Sequence, residues 1–229
     1  MSSNEKLNLN STQGKEYEVS CIQCDGKTHH RVLVSADIEG SDDNGLDVVN
    51  WTRNNQIVQC GGCKTISFRT MSSNSEDWHA LPNGEAYYTE YETLYPPRIP
   101  GRKGLGDDVR FLPHGLYGIY EETLKALLSD SPVLTGIGLR ALVESVCKEK
   151  AAEGRNLYQQ IEGLEKAGVL TPGGKKILHK IRTLGNDAAH EVKPHSDSQL
   201  AVAMDVIEHL LKDVYILPKK TAAEFPDDE

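Results

Sequence analysis

Two sets of residues in this chain have the types and spacing that chemistry requires. The first is a pair of C-x-x-C turns, Cys21-Ile-Gln-Cys24 and Cys60-Gly-Gly-Cys63, separated by about 35 residues. A C-x-x-C turn presents both thiolates from one tight loop, and two such loops complete a tetrahedral four-sulfur shell for Zn2+, closed to any fifth ligand and therefore structural. Gly61 and Gly62 suit that turn because its amides must approach sulfur closely. His29 and His30 lie within reach of the first turn as alternative ligands, although four thiolates already suffice.

The second set lies in KKILHKIRTLGNDAAH, residues 175–190. At about 100° per residue, Ile177, Ile181, Leu184 and Ala188 share one side of a helix, the expected core face. Lys175, His179, Arg182, Asn186 and His190 run along another. Packing alone does not require such a stripe. It is either a site or a means of knitting helices together, with Arg182 and Asn186 hydrogen-bonded to a neighbouring helix through Glu144 and His190 placed near the negative helix pole.

The elements that must position these groups follow from the hydrophobic period. Residues 1–15 are polar and are expected to be a loose tail. Residues 16–94 alternate with period two, at Arg31 to Ile38 and Thr65 to Thr70, and predict a small β domain. Trp78 to Leu94 reads as a hairpin broken at Pro82-Asn83-Gly84, its tyrosines forming sheet core rather than a stacking surface for bases. Residues 95–110, rich in Pro and Gly, predict an extended linker.

From Leu116 the period becomes 3.6, and helices are expected at about 115–130, 133–153, 156–168, from Thr171-Pro172 to about 190, and 196–217. Residues 111–217 thus form an antiparallel bundle, and 218–229 a loose acidic tail. In the second helix Arg140 and Glu144, four residues apart, predict an ion pair half-buried between helices, either structural or orienting the polar stripe. Cys147, on an apolar side of that helix, is expected to be inert packing.

With 229 residues and 38% hydrophobic content, the chain can bury one good core and a smaller satellite. Its net charge of -9 argues against broad adhesion to nucleic acid or anionic membrane, so any phosphate-binding surface must be local. The one positive island is Thr171 to Lys193, which holds Lys175, Lys176, Lys180, Arg182 and Lys193 against Asp187 and Glu191. No apolar run suits a membrane span or a secretory signal, and the cysteine usage fits a metal site in a reducing, cytoplasmic setting.

The run Tyr120-Glu121-Glu122, then Gly138-Leu-Arg140-Ala-Leu-Val-Glu144, then Ile181-Arg182 with Gly185-Asn186-Asp-Ala-Ala-His190, resembles the domain-of-unknown-function family 4145, often placed within or near the HEPN superfamily of helical bundles. A cysteine ribbon ahead of the bundle looks like arrangements in that family. The resemblance implies an all-α bundle, a homodimer, and association with phage defence and restriction systems. HEPN nucleases carry an Arg followed, after four to six intervening residues, by His. Here Gly185 holds the Arg position, and the nearest candidate, Arg182, has seven residues between it and His190. A glycine there would let two dyad-related helices approach, with Arg182 of one chain facing His190 of the other.

The fold expected is therefore α+β, a small N-terminal zinc-ribbon β domain followed by a HEPN-like bundle. If the resemblance extends to catalysis, His190 serves as general acid or base at a ribose 2'-hydroxyl, Arg182 stabilises charge on the phosphorane, and Asn186 holds the phosphate or the imidazole. Arg140, Glu144, Lys175 and His179 are the accompanying binding residues, and Cys21, Cys24, Cys60 and Cys63 the metal ligands. The expected partners are a second copy, RNA, and a restriction or defence effector protein. The alternative is a non-catalytic interaction or dimerisation module docking on a nucleic-acid-processing effector.

Overall fold

A computed structural model describes residues 2–24, 26–43, 45–81, 85–99 and 102–225. The chain is α+β and divides into two units at residues 103 and 104, inside the segment expected as linker. Pro82, Asn83 and Gly84, the expected hairpin turn, lie outside the described residues, as do Pro100, Gly101 and the last four residues.

The first unit holds eight antiparallel strands among its described residues: β1 (Ser2–Leu9), β2 (Glu16–Ser20), β3 (Lys27–Asp43), β4 (Val48–Cys60), β5 (Ile66–Asn74), β6 (Trp78–Ala80), β7 (Ala86–Tyr88) and β8 (Tyr91–Tyr95). β3 is the spine. β4 pairs along its length, β2 takes its first half and β1 its second, and β5 and β8 continue outward from β4. A register shift between Val32 and Val34 marks a bulge in β3. β6 and β7 form a separate two-stranded ribbon.

Two expectations fail here. Residues 1–15 are not a loose tail, because Ser2–Leu9 has an unpaired edge of β3 to add to and gains a full ladder of backbone hydrogen bonds there. The tyrosines of β7 and β8 are not core: Tyr87, Tyr88, Tyr91 and Tyr95 are all exposed. For Tyr91 and Tyr95 the two faces of the main sheet explain this. The inward face carries polar side chains, Ser35 and Asp37 on β3, Gln56 on β4 and Arg69 on β5, all buried. The outward face carries a row of direct cross-strand neighbours, Val34, Ile57, Phe68 and Tyr95, all exposed.

The inward polar groups are mutually satisfied. The Asp37 carboxylate accepts from the Ser11 hydroxyl at 2.5 Å, the Ser35 hydroxyl at 2.6 Å and the Thr12 amide at 3.1 Å. Burial acts to raise the Asp37 carboxyl, but the Ser11, Ser35 and Thr12 donors outweigh it and hold the group below the usual carboxylate range. The Gln56 amide donates to the Thr12 hydroxyl and accepts from Arg69, which pairs with Glu92 at 2.6 Å and lies over the Tyr17 ring.

The second unit begins with a 3-10 turn (Gly106–Phe111) and continues as α1 (His114–Leu128), α2 (Pro132–Glu149), α3 (Leu157–Lys166), α4 (Pro172–Glu191) and α5 (Asp197–Leu211). Asn156 caps α3 through the Gln159 amide, Thr171 caps α4 through the Gly174 amide, and Ser196 opens α5 with a capping box. α2 is central, packing on α1, α4 and α5. Its Leu139, Leu142, Val143 and Val146 are fully buried.

The expected end at residue 217 fails as well. α5 passes through a π turn (Lys212–Ile216) into α6 (Leu217–Glu224), so most of the presumed loose tail is helical. Pro218 has no N–H for the carbonyl four residues back, and the wider turn, in which the Leu217 amide reaches Lys212, relieves the clash. Lys219 donates to the Phe111 carbonyl and Lys220 pairs with Asp108 at 2.7 Å, tying α6 to the 3-10 turn.

Helices α2 and α4 meet through glycine. A Cβ built on Gly185 would lie 2.4 Å from the Arg140 Cβ and 2.9 Å from the Gly136 carbonyl oxygen. The glycine therefore serves a close approach inside one chain, where the sequence suggested an approach between two. Gly185→Ala is expected to destabilise the bundle by about 1–3 kcal/mol through overpacking. Gly118→Ala, on α1 where a Cβ meets nothing within 4 Å, is expected to stabilise it by about 0.4–1 kcal/mol. Thermal melts of the two variants read the difference, and equal melting points would remove the close-packing account.

Candidate functional site

The four cysteines come together because two hairpins converge at one end of the spine. Cys21 and Cys24 lie between β2 and β3, Cys60 ends β4 opposite His30, and Cys63 lies in the turn that follows, before β5. The sulfurs lie within 4.8 Å of one another, Cys21 to Cys63 at 3.5 Å and Cys24 to Cys60 at 3.9 Å. A tetrahedral sulfur shell with metal–sulfur bonds of about 2.3 Å has edges of about 3.8 Å, so the donor set and its spacing fit a metal site.

Local hydrogen bonds shape the turns. The Gly61 amide donates to the His29 carbonyl at 2.8 Å, the Cys60 amide to Thr65, and Lys64 takes a left-handed conformation as the chain leaves the turn. Thr28 and Thr65 hydroxyls lie 3.2 Å from the Cys60 and Cys63 sulfurs. Neither threonine was singled out as a sulfur contact from the sequence: Thr28 meets Cys60 from a neighbouring strand, and Thr65, two residues after Cys63, read only as the start of a strand. His29 and His30 are not in the cluster. His29 is exposed, and the buried His30 places Nδ1 2.9 Å from the Thr28 carbonyl oxygen.

The thiols are electrostatically unequal. The contact with the Cys63 sulfur, then desolvation, pushes the Cys24 thiol up to about 12. Burial acts to raise Cys60, but the Thr28 hydroxyl and the amides of Cys63 and Gly62 outweigh it and bring the thiol down to about 5. A cation bound among the four sulfurs would favour the thiolate form of all of them. Cys147, by contrast, is buried on α2 with its thiol raised to about 11, chiefly by burial, and belongs to the packing.

On α4 the buried line is Leu178, Ile181, Gly185 and Ala188, while Ile177 is exposed and Leu184 half-buried, a rotation of the core face from the one expected. The close approach of α2 at Gly136 and Gly185 causes it, because the smallest residues must face the crossing.

The polar groups are distributed accordingly. Lys175 is paired with two α3 carboxylates, Glu162 at 3.1 Å and Glu165 at 2.9 Å. His179 places Nε2 2.9 Å from Glu162 and stacks on the Tyr158 ring at 4.4 Å, while the Arg182 guanidinium lies 5.7 Å from the same ring. Tyr158 and Glu162 were missed from the sequence because their link to α4 is purely tertiary. Arg140 donates to the Asn186 amide oxygen and pairs with Glu144 at 2.8 Å, so Asn186 reaches α2 through Arg140 rather than directly through Glu144. His190 is exposed in the last turn. Arg182 Nε and His179 Nδ1 are buried without a hydrogen-bond partner among the described residues.

The Glu162 carboxyl lies below the usual glutamate range, first through His179 and then through Lys175. Folding lowers this pKa, so the stabilisation is complete above the usual glutamate range and is lost as pH falls through the lowered value. Glu162→Gln is expected to flatten the loss of helical stability that sets in as pH falls below the usual glutamate range. Denaturation curves at several pH values measure this, and parallel slopes for wild type and variant would refute the coupling.

Among the described residues no helix is long and apolar enough to cross a membrane. No curated protein and no solved structure matches the chain. The model of the family described as "Domain of unknown function (DUF4145)" matches residues 121–228, a span that starts within α1 and leaves the cysteine-bearing sheet outside it.

Proposed function

We propose that this chain is a non-catalytic interaction module, its sheet stapled by structural zinc and its bundle docking on a nucleic-acid-processing effector in a cytoplasmic, reducing setting. A restriction or defence effector is the partner class named by the family resemblance. The observation that most supports the reading is where the α4 groups are engaged. Arg182 is stacked toward α3, Asn186 is held by Arg140 of α2, and His190 stands exposed two turns beyond Arg182. Eight helical steps separate the Arg182 and His190 Cα atoms by about 12 Å, and the arginine side chain leans away toward the helix N-terminus.

Zinc is the metal best suited to the cluster. Four soft thiolates in a tetrahedral arrangement select zinc or iron, and a closed shell without redox chemistry suits a staple. Cys21, Cys24, Cys60 and Cys63 would hold it. Elemental analysis of the purified chain is expected to give about one zinc per molecule, and a strong chelator is expected to melt the sheet while the helical circular dichroism survives. Iron in place of zinc, or a metal content near zero, would contradict this assignment.

A second reading, RNA binding with metal-independent cleavage, has one observation in its favour: Glu144, Arg140 and Asn186 form a continuous half-exposed polar relay, one helical turn from the exposed His190. A fluorescent single-stranded RNA incubated with the protein separates the two. The module reading expects intact RNA with both wild type and His190→Ala. Cleavage by wild type that His190→Ala abolishes would replace it with the nuclease reading.

A further inference from the structure

Helices α4 and α5 pack on α2 more closely than on each other, and a groove of about 660 Å³ opens between them. Its floor is apolar: Ile177, Ile181 and Leu184 from α4, and Val202, Ala203 and Val206 from α5. Two of these side chains stand well out of the core, Ile177 at 41% and Val202 at 60% exposed. His195 closes one end, its Nε2 3.0 Å from the Leu184 carbonyl oxygen, with Asp187 beside it. From Ile177 to Leu184, and from Gln199 to Val206, each bank runs about 10 Å, two turns of a helix.

The banks differ in charge. On the α4 side Lys180 lines the groove, Lys176 lies exposed one turn before it, and Asp187 stands two turns further on. Neither ammonium takes part in the ion pairs of the described residues, whereas the adjacent Lys175 is neutralised by two α3 carboxylates. The α5 bank is Ser198, Gln199 and Val202, with Asp205 beyond. In a chain of net charge -9, an apolar slot with a positive border on one side only is a directional feature. It fits a helix that presents an apolar stripe to the floor and a line of carboxylates toward α4.

We infer that the α4–α5 groove is the docking slot for a short amphipathic helix of a partner protein, with an acidic flank that lies against Lys176 and Lys180. The inference rests on the interaction-module reading and names the chemistry of its partner. The apolar floor gives affinity, and the lysines set the direction and side of approach. An RNA strand would leave the floor unsatisfied, since aliphatic side chains offer bases no stacking surface.

The test uses the full chain and a designed helical peptide of about 12 residues, with leucines at i, i+4 and i+7 and glutamates along one flank. Fluorescence anisotropy is expected to show saturable binding that weakens with salt. A peptide with lysines in place of the glutamates is expected to bind at least tenfold more weakly. Val202→Glu on the floor is expected to remove binding, and Lys180→Glu to weaken it roughly two- to fivefold, as for an exposed ion pair. Both sites are at the surface, and circular dichroism confirms that the variants fold.

Absence of saturable binding, equal binding of both peptides, or indifference to Val202→Glu overturns the proposal. So does sedimentation showing a dimer of the chain that Val202→Glu dissociates, which would make a second copy the occupant. These outcomes are separable from failure of the module reading, which falls only if the protein cuts RNA through His190. A chain that neither cuts RNA nor binds the peptide keeps the module and loses the groove.

Discussion

Among the aliphatic side chains of the described sheet unit, only Val19, Val32 and Val58 are buried, while Asp37, Gln56, Arg69, Ser35 and His30 share that interior. A unit of about a hundred residues with so little apolar burial lacks the usual source of folding free energy, and small domains in that position depend on a covalent or metal constraint. The gathering of Cys21, Cys24, Cys60 and Cys63, a donor set that fits a metal ion, lies where such a constraint would be most effective. It joins the β2–β3 and β4–β5 turns, so one ion bound there would tie β2, β3, β4 and β5 together at one end of the sheet. The polar network then orients the sheet without stabilising it much, because each buried group largely recovers the hydrogen bonds it gave up in water.

The helical unit rests on a different constraint, the contact of α2 with α4. Gly136, Gly185 and Ala188 leave so little between the two backbones that Arg140 is carried directly onto Asn186. One crossing therefore decides which α4 groups face α2 and which face α3. Lys175 and His179 fall to Glu162 and Glu165, Arg182 to Tyr158, and His190 is left at the exposed end. It also turns Ile177 and Leu184 out of the core and toward α5, where they floor the groove.

The sequence made legible what depends on local spacing. Two C-x-x-C turns announce a four-sulfur cluster, and Thr171 and Asn156 announce helix starts through their side chains. The Arg140–Glu144 pair follows from a spacing of four. What depended on partners distant in sequence was not legible. Residues 2–9 look too polar for structure, yet a strand needs only an open edge, and β3 is long enough to provide one. Tyrosines alternating on short strands suggest a core, but Tyr91 and Tyr95 lie on the outward face of the main sheet, and Tyr87 and Tyr88 stand on the separate β6–β7 ribbon. The facing of α4 was misjudged by one position, since Gly185 reads as a gap in a polar stripe until the neighbouring backbone is seen to fill it.

The position of β1 has a consequence for handling the protein. It shields eight residues of β3, from Ala36 to Asp43, whose opposite side is already committed to β4. Trimming the first nine residues would bare that run of amides and carbonyls as a free strand border, beside an outer face already lined with Val34, Ile57 and Phe68. Such a border recruits strands from other molecules, whereas β1, itself the border of the sheet, ends it on a polar strand that carries Glu5 and Lys6.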